Sequence, residues 1–290
     1  MTVGALIDFL NKESEKGVSH VHLDTRSREA IRAAVRANKV KKTPPKSTPK
    51  QAPSRPQPAR RQPVQEPVSQ VIAPESVEIK LPDGDKSIQL AYLKQLSNDW
   101  PPATSLQSLR KKAVFSVGTP DTDLMIIGEA PGFEEELKSE PFVGRAGQKL
   151  DQILKAMGLS RKKLYITNIC KFRPSLPGQT TNNRKPTSEE MAACMPLVLR
   201  EIEIIKPKCI LALGATAAEG LTRTQNTPVG KLRGSWHEFQ DIPLRVSYHP
   251  NYLLRNEENL HEKRKVWEDM LSVMEFLNMP ISEKQKGYFK

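Results

Sequence analysis

The chain has 290 residues and a formal net charge of +12, with 45 basic side chains against 33 acidic ones. This length suits one compact domain with an appendage or two small domains, and the positive surplus favours a polyanionic partner, nucleic acid first. No stretch reaches the roughly 18 consecutive apolar residues of a membrane-spanning helix, and the N-terminus lacks the pattern of a secretory signal. We therefore expect a cytoplasmic protein without a membrane partner.

The three cysteines are Cys170, Cys194 and Cys209. A sparse, odd number argues against a disulfide framework, and the spacing matches no compact zinc site. We therefore predict that they are small, buried, apolar residues and that the chain holds no metal.

Residues 1–38 carry apolar positions at helical spacing and predict a small helical segment, too short to hold a core alone. Residues 39–84 are rich in Pro and basic side chains and predict a disordered linker. This linker is a plain spacer, a tail that attracts DNA phosphates, or both. The helical segment is a candidate site for a protein partner or for DNA, or it docks on the main domain.

Residues 85–279 have the pattern of a globular domain, and residues 280–290 form a C-terminal tail. Four apolar runs predict buried strands, at residues 124–127, 164–169, 209–213 and 244–248. Helical patterns follow or separate them, at residues 147–157, 188–205, 215–221 and 261–277. This alternation indicates a parallel sheet covered by helices on both faces, with ligands bound beyond the carboxyl ends of the strands.

Two loops after the first predicted strand hold candidate site residues. The string GEAPG at residues 128–132 is tight and rigid, with the carboxylate of Glu129 near its start. In the string EPFVGRAG, Phe142 lies between Pro and Gly and could serve as a stacking platform for a flat base. The alternatives are an ordinary turn for the first loop and a core residue for Phe142.

Two later strands end in polar residues. Asn168 offers one acceptor and one donor, which match the edge of a pyrimidine. His249 is followed by Pro250 and then by the string NYLLR, whose leucines look like exposed apolar tips. Taken singly, a turn-forming Asn and a structural His are common, so the argument rests on their joint position at one edge of the sheet.

The strings GEAPG, PFVGRAGQ, YITN, LGATAA and HPNYLLR, in this order, resemble the uracil-DNA glycosylase superfamily and most closely its family 4. The resemblance covers residues 113–279 and implies a three-layer α/β/α sandwich with a four-stranded, mainly parallel sheet. It also implies an enzyme of base excision repair that flips uracil out of DNA and hydrolyses its N-glycosidic bond. With uracil-containing DNA as partner, we expect a nucleoid-associated location.

The resemblance implies a role for each candidate residue. Phe142 would stack on uracil, Asn168 would bond to its edge and His249 would stabilise the negative charge of the leaving base. Glu129 would help to place water, and Gly128 and Ala130 would line the uracil site. The residues implied in DNA binding are Leu253, Leu254, Arg255, Arg145 and Arg173.

This chain departs from the family pattern at the cysteines. Family 4 enzymes hold a [4Fe–4S] cluster on four cysteines, two of them upstream of GEAPG. Here the string TSLQSLRKKAVFSVG at residues 104–118 contains no cysteine, and Phe172 stands where KCRP would place a ligand. Only Cys194 matches a ligand position, with Cys170 displaced. We predict no cofactor and expect local packing to hold this region.

Further alternatives concern the activity. A related subgroup traps DNA covalently through a basic loop with a histidine, but residues 175–186 contain none, so we expect turnover. A catalytically weak protein that senses uracil or another lesion is the main competing hypothesis. A flavodoxin-like phosphate binder is a third, disfavoured because GEAPG matches neither a P-loop nor a GxGxxG turn.

Overall fold

The computed structural model describes residues 78–289, except residues 223 and 225. The predicted helical segment at residues 1–38 and nearly all of the predicted linker lie outside the described residues. Among the residues described, no helix is long and apolar enough to cross a membrane.

The described chain folds into short strands that alternate with helices. The strands are β1 (Leu109–Ala113), β2 (Val117–Gly118), β3 (Leu124–Gly128), β4 (Tyr165–Asn168), β5 (Phe172–Pro174), β6 (Cys209–Leu213), β7 (Trp236–Phe239) and β8 (Ile242–Ser247).

The helices cover both faces of the sheet and the segment before it. They are α1 (Lys86–Ser97), α2 (Pro101–Thr104), α3 (Phe133–Lys138), α4 (Arg145–Ala156), α5 (Ser188–Ile205), α6 (Ala215–Thr222), α7 (Val229–Leu232), α8 (Pro250–Arg255), α9 (Leu260–Phe276) and α10 (Glu283–Lys286), with a 3-10 turn at Arg161–Lys163.

The main sheet has six strands in the order β2-β4-β3-β6-β8-β7. The central four, β4, β3, β6 and β8, are parallel and correspond to the four predicted strands. The edge strands β2 and β7 are antiparallel to their neighbours, so the predicted number of four strands is too low. Neither edge strand has a continuous apolar run, because β2 has two residues and β7 alternates between exposed and half-buried positions.

Side chains alternate across the sheet and build a core on each face. On one face lies the first core, in which Leu124 and Ile126 of β3 pack with residues of α4 and α9, such as Leu150 and Trp267. On the other face, the neighbouring residues of β3 pack with side chains of α5 and α6. This arrangement confirms the α/β/α sandwich, since strands buried on both faces need helices on both sides.

A third apolar cluster lies against α5 and is made by α1, α2, β1 and β5. We call it the thiol cluster because it holds Cys170 and Cys194, together with Trp100, Phe115 and Phe172. The indole Nε1 of Trp100 donates to the carbonyl of Ala193 at 2.6 Å, so the one polar atom of that buried ring has a partner.

The packed structure extends beyond residues 85 and 279. Ile79 is buried in the thiol cluster. At the other end, Tyr288 lies against Trp267, with ring centroids 5.1 Å apart, and the Trp267 indole donates to the carbonyl of Gln285. Apolar contacts of this kind hold both short segments against the sandwich.

Candidate active site

The candidate site lies where the four parallel strands end. Asn168 ends β4, Gly128 ends β3, Gly214 follows β6, and His249 comes two residues after β8. Because these strands are neighbours and run the same way, their carboxyl ends meet at one edge of the sheet. The Cα atoms of Gly128 and Asn168 are partners in the register of β3 and β4.

The ring of Phe142 lies directly over Gly128. A Cβ atom on Gly128 would come within 2.3 Å of Phe142 Cζ and 2.4 Å of Asn168 Oδ1. Only glycine therefore allows the aromatic ring and the amide to meet at this point. Phe142 adopts a left-handed backbone with φ of +55°, and the residue is 5% exposed and belongs to the first core.

His249 stands beside the same ring. Its imidazole and the ring of Phe142 are stacked, with centroids 5.7 Å apart and an interplanar angle of 26°. The backbone N–H of Asn251 donates to His249 Nδ1 at 3.1 Å, which leaves the proton of a neutral imidazole on Nε2. Burial lowers the pKa of His249 to about 4, against the opposing attraction of Glu135. At neutral pH the residue is therefore an uncharged Nε2–H donor.

Asn168 is buried and is supported from behind by a buried ion pair. Lys171 Nζ donates to the Asn168 carbonyl at 3.0 Å and is paired with the carboxylate of Glu201. Both charged side chains are fully buried, and Thr167 and Tyr165 also donate to Glu201. This network fixes the backbone that presents the Asn168 amide.

Glu129 points toward the start of α6. Thr216 Oγ1 donates to Glu129 Oε2 at 2.6 Å. Burial raises the pKa of Glu129, while the hydrogen bond from Thr216 and the charge of Lys185 oppose the shift. The carbonyl of Glu129 also accepts from the Cys170 backbone at 3.0 Å, which ties the GEAPG loop to the thiol cluster.

Three of the predicted DNA-binding residues lie at this edge with exposed or half-buried side chains. Arg145 is exposed at the first residue of α4, and Arg255 is exposed at the last residue of α8. Leu254 is half-buried, and the helices α4 and α8 pack against each other. The structure therefore brings two cations and one apolar side chain to adjoining helices.

Two other residues predicted to bind DNA do not lie on the surface. Leu253 is 5% exposed and packs into the first core, because helix α8 turns this side chain inward; the expectation of an exposed tip there is wrong. Arg173 is 2% exposed, which contradicts the prediction that it contacts a DNA phosphate. Its guanidinium bonds to Glu136 at 3.0 Å and to Asn183 at 2.9 Å, and it lies over the ring of Phe133.

The remaining candidate, Ala130, packs against the thiol cluster with its methyl group. Its side chain therefore lies on the thiol-cluster side, and only its backbone is available to line the candidate site. Gly128 lies at the centre of the site, as described above.

Sequence reasoning missed four residues that organise the site, namely Glu135, Arg161, Lys171 and Thr216. Glu135 is three residues after Gly132, the N-cap of α3, and its spacing is the reach-back half of a capping box. That spacing is a signal the sequence does contain. Nothing local predicts the partners of the other three, since the pairing of Lys171 with Glu201 spans 30 residues.

The residues of the thiol cluster do not fit an iron–sulfur cluster. Cys170 Sγ and Cys194 Sγ are 3.7 Å apart, both buried, and Cys209 lies in the separate first core. Apolar side chains surround the pair, and the part of the chain that the structure describes has no group of three His, Cys, Asp or Glu residues placed to hold a metal. Two thiolates cannot replace the four that such a cluster requires.

The chain is similar to one protein family and to several of its named members. The sequence profile of the Uracil DNA glycosylase superfamily matches residues 115–271. The Type-4 uracil-DNA glycosylase of Thermotoga maritima is 40% identical over 179 residues, which are 60% of this chain and 88% of that protein. The Type-4 uracil-DNA glycosylase of Pyrobaculum aerophilum is 37% identical over 157 residues, which are 52% of this chain and 77% of that protein.

A third relative has the same name. The Type-4 uracil-DNA glycosylase of Archaeoglobus fulgidus is 36% identical over 156 residues, which are 51% of this chain and 75% of that protein. These matches give no support to the lesion-sensing alternative, since each relative is named for a glycosylase.

Proposed function

This chain belongs to the uracil DNA glycosylase superfamily and is a uracil-DNA glycosylase of type 4, and we propose that it flips uracil out of DNA and hydrolyses its N-glycosidic bond. The observation that carries this mechanism is the meeting of Phe142, Asn168 and His249 around Gly128 at the carboxyl edge of the sheet. The product is an abasic site in the DNA and free uracil.

The first step is recognition of an extruded base. A base stacked inside a duplex cannot reach a pocket at a sheet edge, so it must leave the helix, which costs least at a mismatch such as U·G. Phe142 then provides the surface on which the uracil ring stacks. The Asn168 amide both donates and accepts, which suits the O4 and N3–H edge of uracil and leaves cytosine with mismatched donors.

The second step is departure of the base. Breaking the glycosidic bond places positive character on the sugar and negative charge on uracil O2. Neutral His249, held with its proton on Nε2 by the bond from Asn251, donates to that oxygen as the charge forms. A donor fixed in advance and shielded from water needs no reorganisation at the moment of reaction.

The third step is addition of water to the sugar. Glu129 bonds to Thr216 through one carboxylate oxygen and can orient a water with the other. The water then adds to C1′ of the sugar cation, from which uracil has already departed with the bonding electrons, and the proton that the water loses passes to Glu129 and from there to solvent.

No step of this mechanism passes through an iron–sulfur cluster, because the thiol cluster holds only two cysteines and is filled by apolar side chains. We propose that this apolar packing takes over the structural role that the cluster has in the family. Two residues reach the site from this region: the carbonyl of Asn168 is held by the buried Lys171, and the carbonyl of Glu129 is held by the backbone N–H of Cys170.

The DNA strand is proposed to lie along the adjoining helices α4 and α8. Arg145 and Arg255 would contact phosphates there, and Leu254 would press into the groove. The basic residues 39–84 would add affinity without sequence choice. A protein partner for residues 1–38 and a nucleoid-associated cytoplasmic location belong to the same proposal.

The direct test uses an end-labelled oligonucleotide with a single uracil, opposite G, opposite A or unpaired, and an identical oligonucleotide with thymine. The protein is incubated with each, and alkali then cleaves the strand at abasic sites. We expect cleavage at uracil alone and repeated turnover. Stable protein–DNA adducts, or tight binding to uracil-containing DNA without cleavage, would refute hydrolysis by this site.

A further inference from the structure

We propose that Glu135 is a positioning residue that, together with Arg161, holds the Phe142 peptide in the conformation needed for stacking. This inference rests on the proposed stacking of Phe142 on uracil. The length of the Glu135 side chain matters most for this role, and its negative charge is secondary.

Glu135 joins the two loops that border the site. It is the third residue of α3 and half-buried. Its Oε1 accepts from the backbone N–H groups of Val143 at 3.0 Å and Gly144 at 2.9 Å, and its Oε2 accepts from Gly132 at 3.1 Å. One carboxylate therefore fixes the end of the GEAPG loop and both peptides that follow Phe142.

Arg161 binds the carbonyl groups on the other side of the same segment. Its guanidinium donates to the Pro141 carbonyl at 2.9 and 3.1 Å and also to the Phe142 carbonyl. Asp151 on α4 accepts from Arg161 Nε at 3.0 Å and holds the guanidinium in place. The carbonyls before the turn and the amides after it are thus bound by two side chains, Arg161 and Glu135, whose reach fixes the peptide groups on both sides.

Phe142 needs such support because its backbone is in the left-handed region, with φ of +55°. That conformation is less favourable for an aromatic residue than the ordinary regions of the backbone. Gly147 lets the chain close tightly on this turn, since a Cβ there would come within 1.7 Å of the Phe142 carbonyl oxygen. Relaxation of φ would swing the ring away from Gly128 and His249.

The position of the ring decides the rate more than the binding of DNA. Phosphate contacts supply most of the affinity for DNA and lie on other elements. A displacement of about 1 Å in a group that orients the substrate can lower the rate by about 100-fold. Loss of the hydrogen bonds from Val143 and Gly144 to Glu135 should therefore lower kcat and leave KM nearly unchanged.

Two substitutions separate reach from charge. Glu135→Asp keeps the charge but shortens the side chain, so its carboxylate no longer spans to Val143 and Gly144. Glu135→Gln removes the charge but keeps an oxygen at full reach for those two amides. We expect Glu135→Asp to lower kcat about 10- to 100-fold and Glu135→Gln to retain a clearly higher kcat, with KM similar in both. The opposite order would overturn the proposal and assign Glu135 an electrostatic role.

The second measurement is a double-mutant cycle with Phe142→Ala. If Glu135 acts through Phe142, then Glu135→Asp in the Phe142→Ala background causes no further loss of kcat, because the ring it positions is absent. Losses that multiply would overturn the inference. Thermal unfolding of each variant checks that it is folded, and Glu134→Gln, at an exposed residue of the same helix, controls for the change in helix charge.

The same experiment distinguishes this inference from the function on which it rests. A wild type that releases no uracil, or a Phe142→Ala variant with unaltered kcat, refutes the proposed function. An active wild type and an impaired Phe142→Ala variant, combined with a Glu135→Asp variant of unaltered kcat, refute the positioning role alone.

Discussion

Asn168 and Cys170 are only two residues apart, yet they belong to regions with opposite character. Asn168 faces the polar site at the sheet edge, where it meets Phe142 and stands near His249. Cys170 enters the thiol cluster, where Cys194 and apolar rings surround it. The site edge holds the groups that the proposed chemistry needs, whereas the thiol cluster lacks the four cysteines that the family uses to hold an iron–sulfur cluster.

This contrast teaches that the two regions depend on different things. The site needs particular atoms at particular places, so a single changed side chain removes a function. The thiol cluster needs only a filled, apolar volume that keeps the strand ends in place, which many residue sets can provide. A chain can therefore replace the packing of one region while the other is retained.

The largest effect is expected at Lys171, which connects the two regions. Its ammonium supports the Asn168 carbonyl and neutralises Glu201, and both charges are fully buried. Lys171→Met leaves Glu201 buried and unpaired, which should lower the free energy of unfolding by about 3–5 kcal/mol. Urea unfolding measures the loss, and Lys171→Met combined with Glu201→Gln should recover part of it. Equal stability of the single variant and the wild type would show that the two regions are not joined here.

The next effect concerns the site edge alone. His249→Ala removes the donor aimed at the departing base and should lower kcat by about 100- to 1,000-fold. Asn168→Ala should also lower kcat/KM for uracil through loss of the paired hydrogen bonds. The matched control is His261→Ala, an exposed histidine at the start of α9. Retained uracil release by His249→Ala would show that the charge is stabilised elsewhere.

A smaller effect is expected in the pH dependence of stability, to which His249 of the site edge contributes. The pKa of His249 is about 4 in the folded protein and 6.5 ordinarily, so the unfolded chain takes up this proton first as the pH falls. Stability from this group is complete above 6.5 and is lost as the pH falls toward 4. At pH 5 the loss is on the order of 1–2 kcal/mol. His249→Gln should show a smaller fall in stability between pH 7 and pH 5 than the wild type, by urea unfolding; an unchanged difference would contradict this.

The smallest effect is expected in the thiol cluster. Replacing Cys170 and Cys194 together by alanine removes two buried thiols without leaving a charge, so uracil release should remain near the wild-type rate. Iron analysis and visible absorption of protein purified without oxygen test the same point. Stoichiometric iron that disappears with the cysteines, together with activity, would mean that this region resembles its relatives after all.

Much of the architecture could be predicted from local patterns. Continuous apolar runs gave the four parallel strands, and helical spacing gave the long helix at residues 188–205 with the bounds that the structure has. The positions of Phe142, Asn168 and His249 after these predicted strands placed them at one edge of the sheet, because the direction of parallel strands alone fixes which ends meet. The edge strands were missed because they are short or half-exposed and carry no periodic signal.

Residues that point inward or outward from a short helix could not be assigned in the same way. Leu253 and Leu254 are adjacent and chemically identical, but the six-residue helix α8 buries the first and leaves the second half-exposed. Arg173 looked like a phosphate contact, yet partners from residues 136 and 183 close around it. The sequence by itself determined the order of strands and helices and the chemistry available at the sheet edge, since both follow from local pattern. Only the tertiary structure decided which arginine side chains are exposed and which bind a loop, because their partners come from distant parts of the chain.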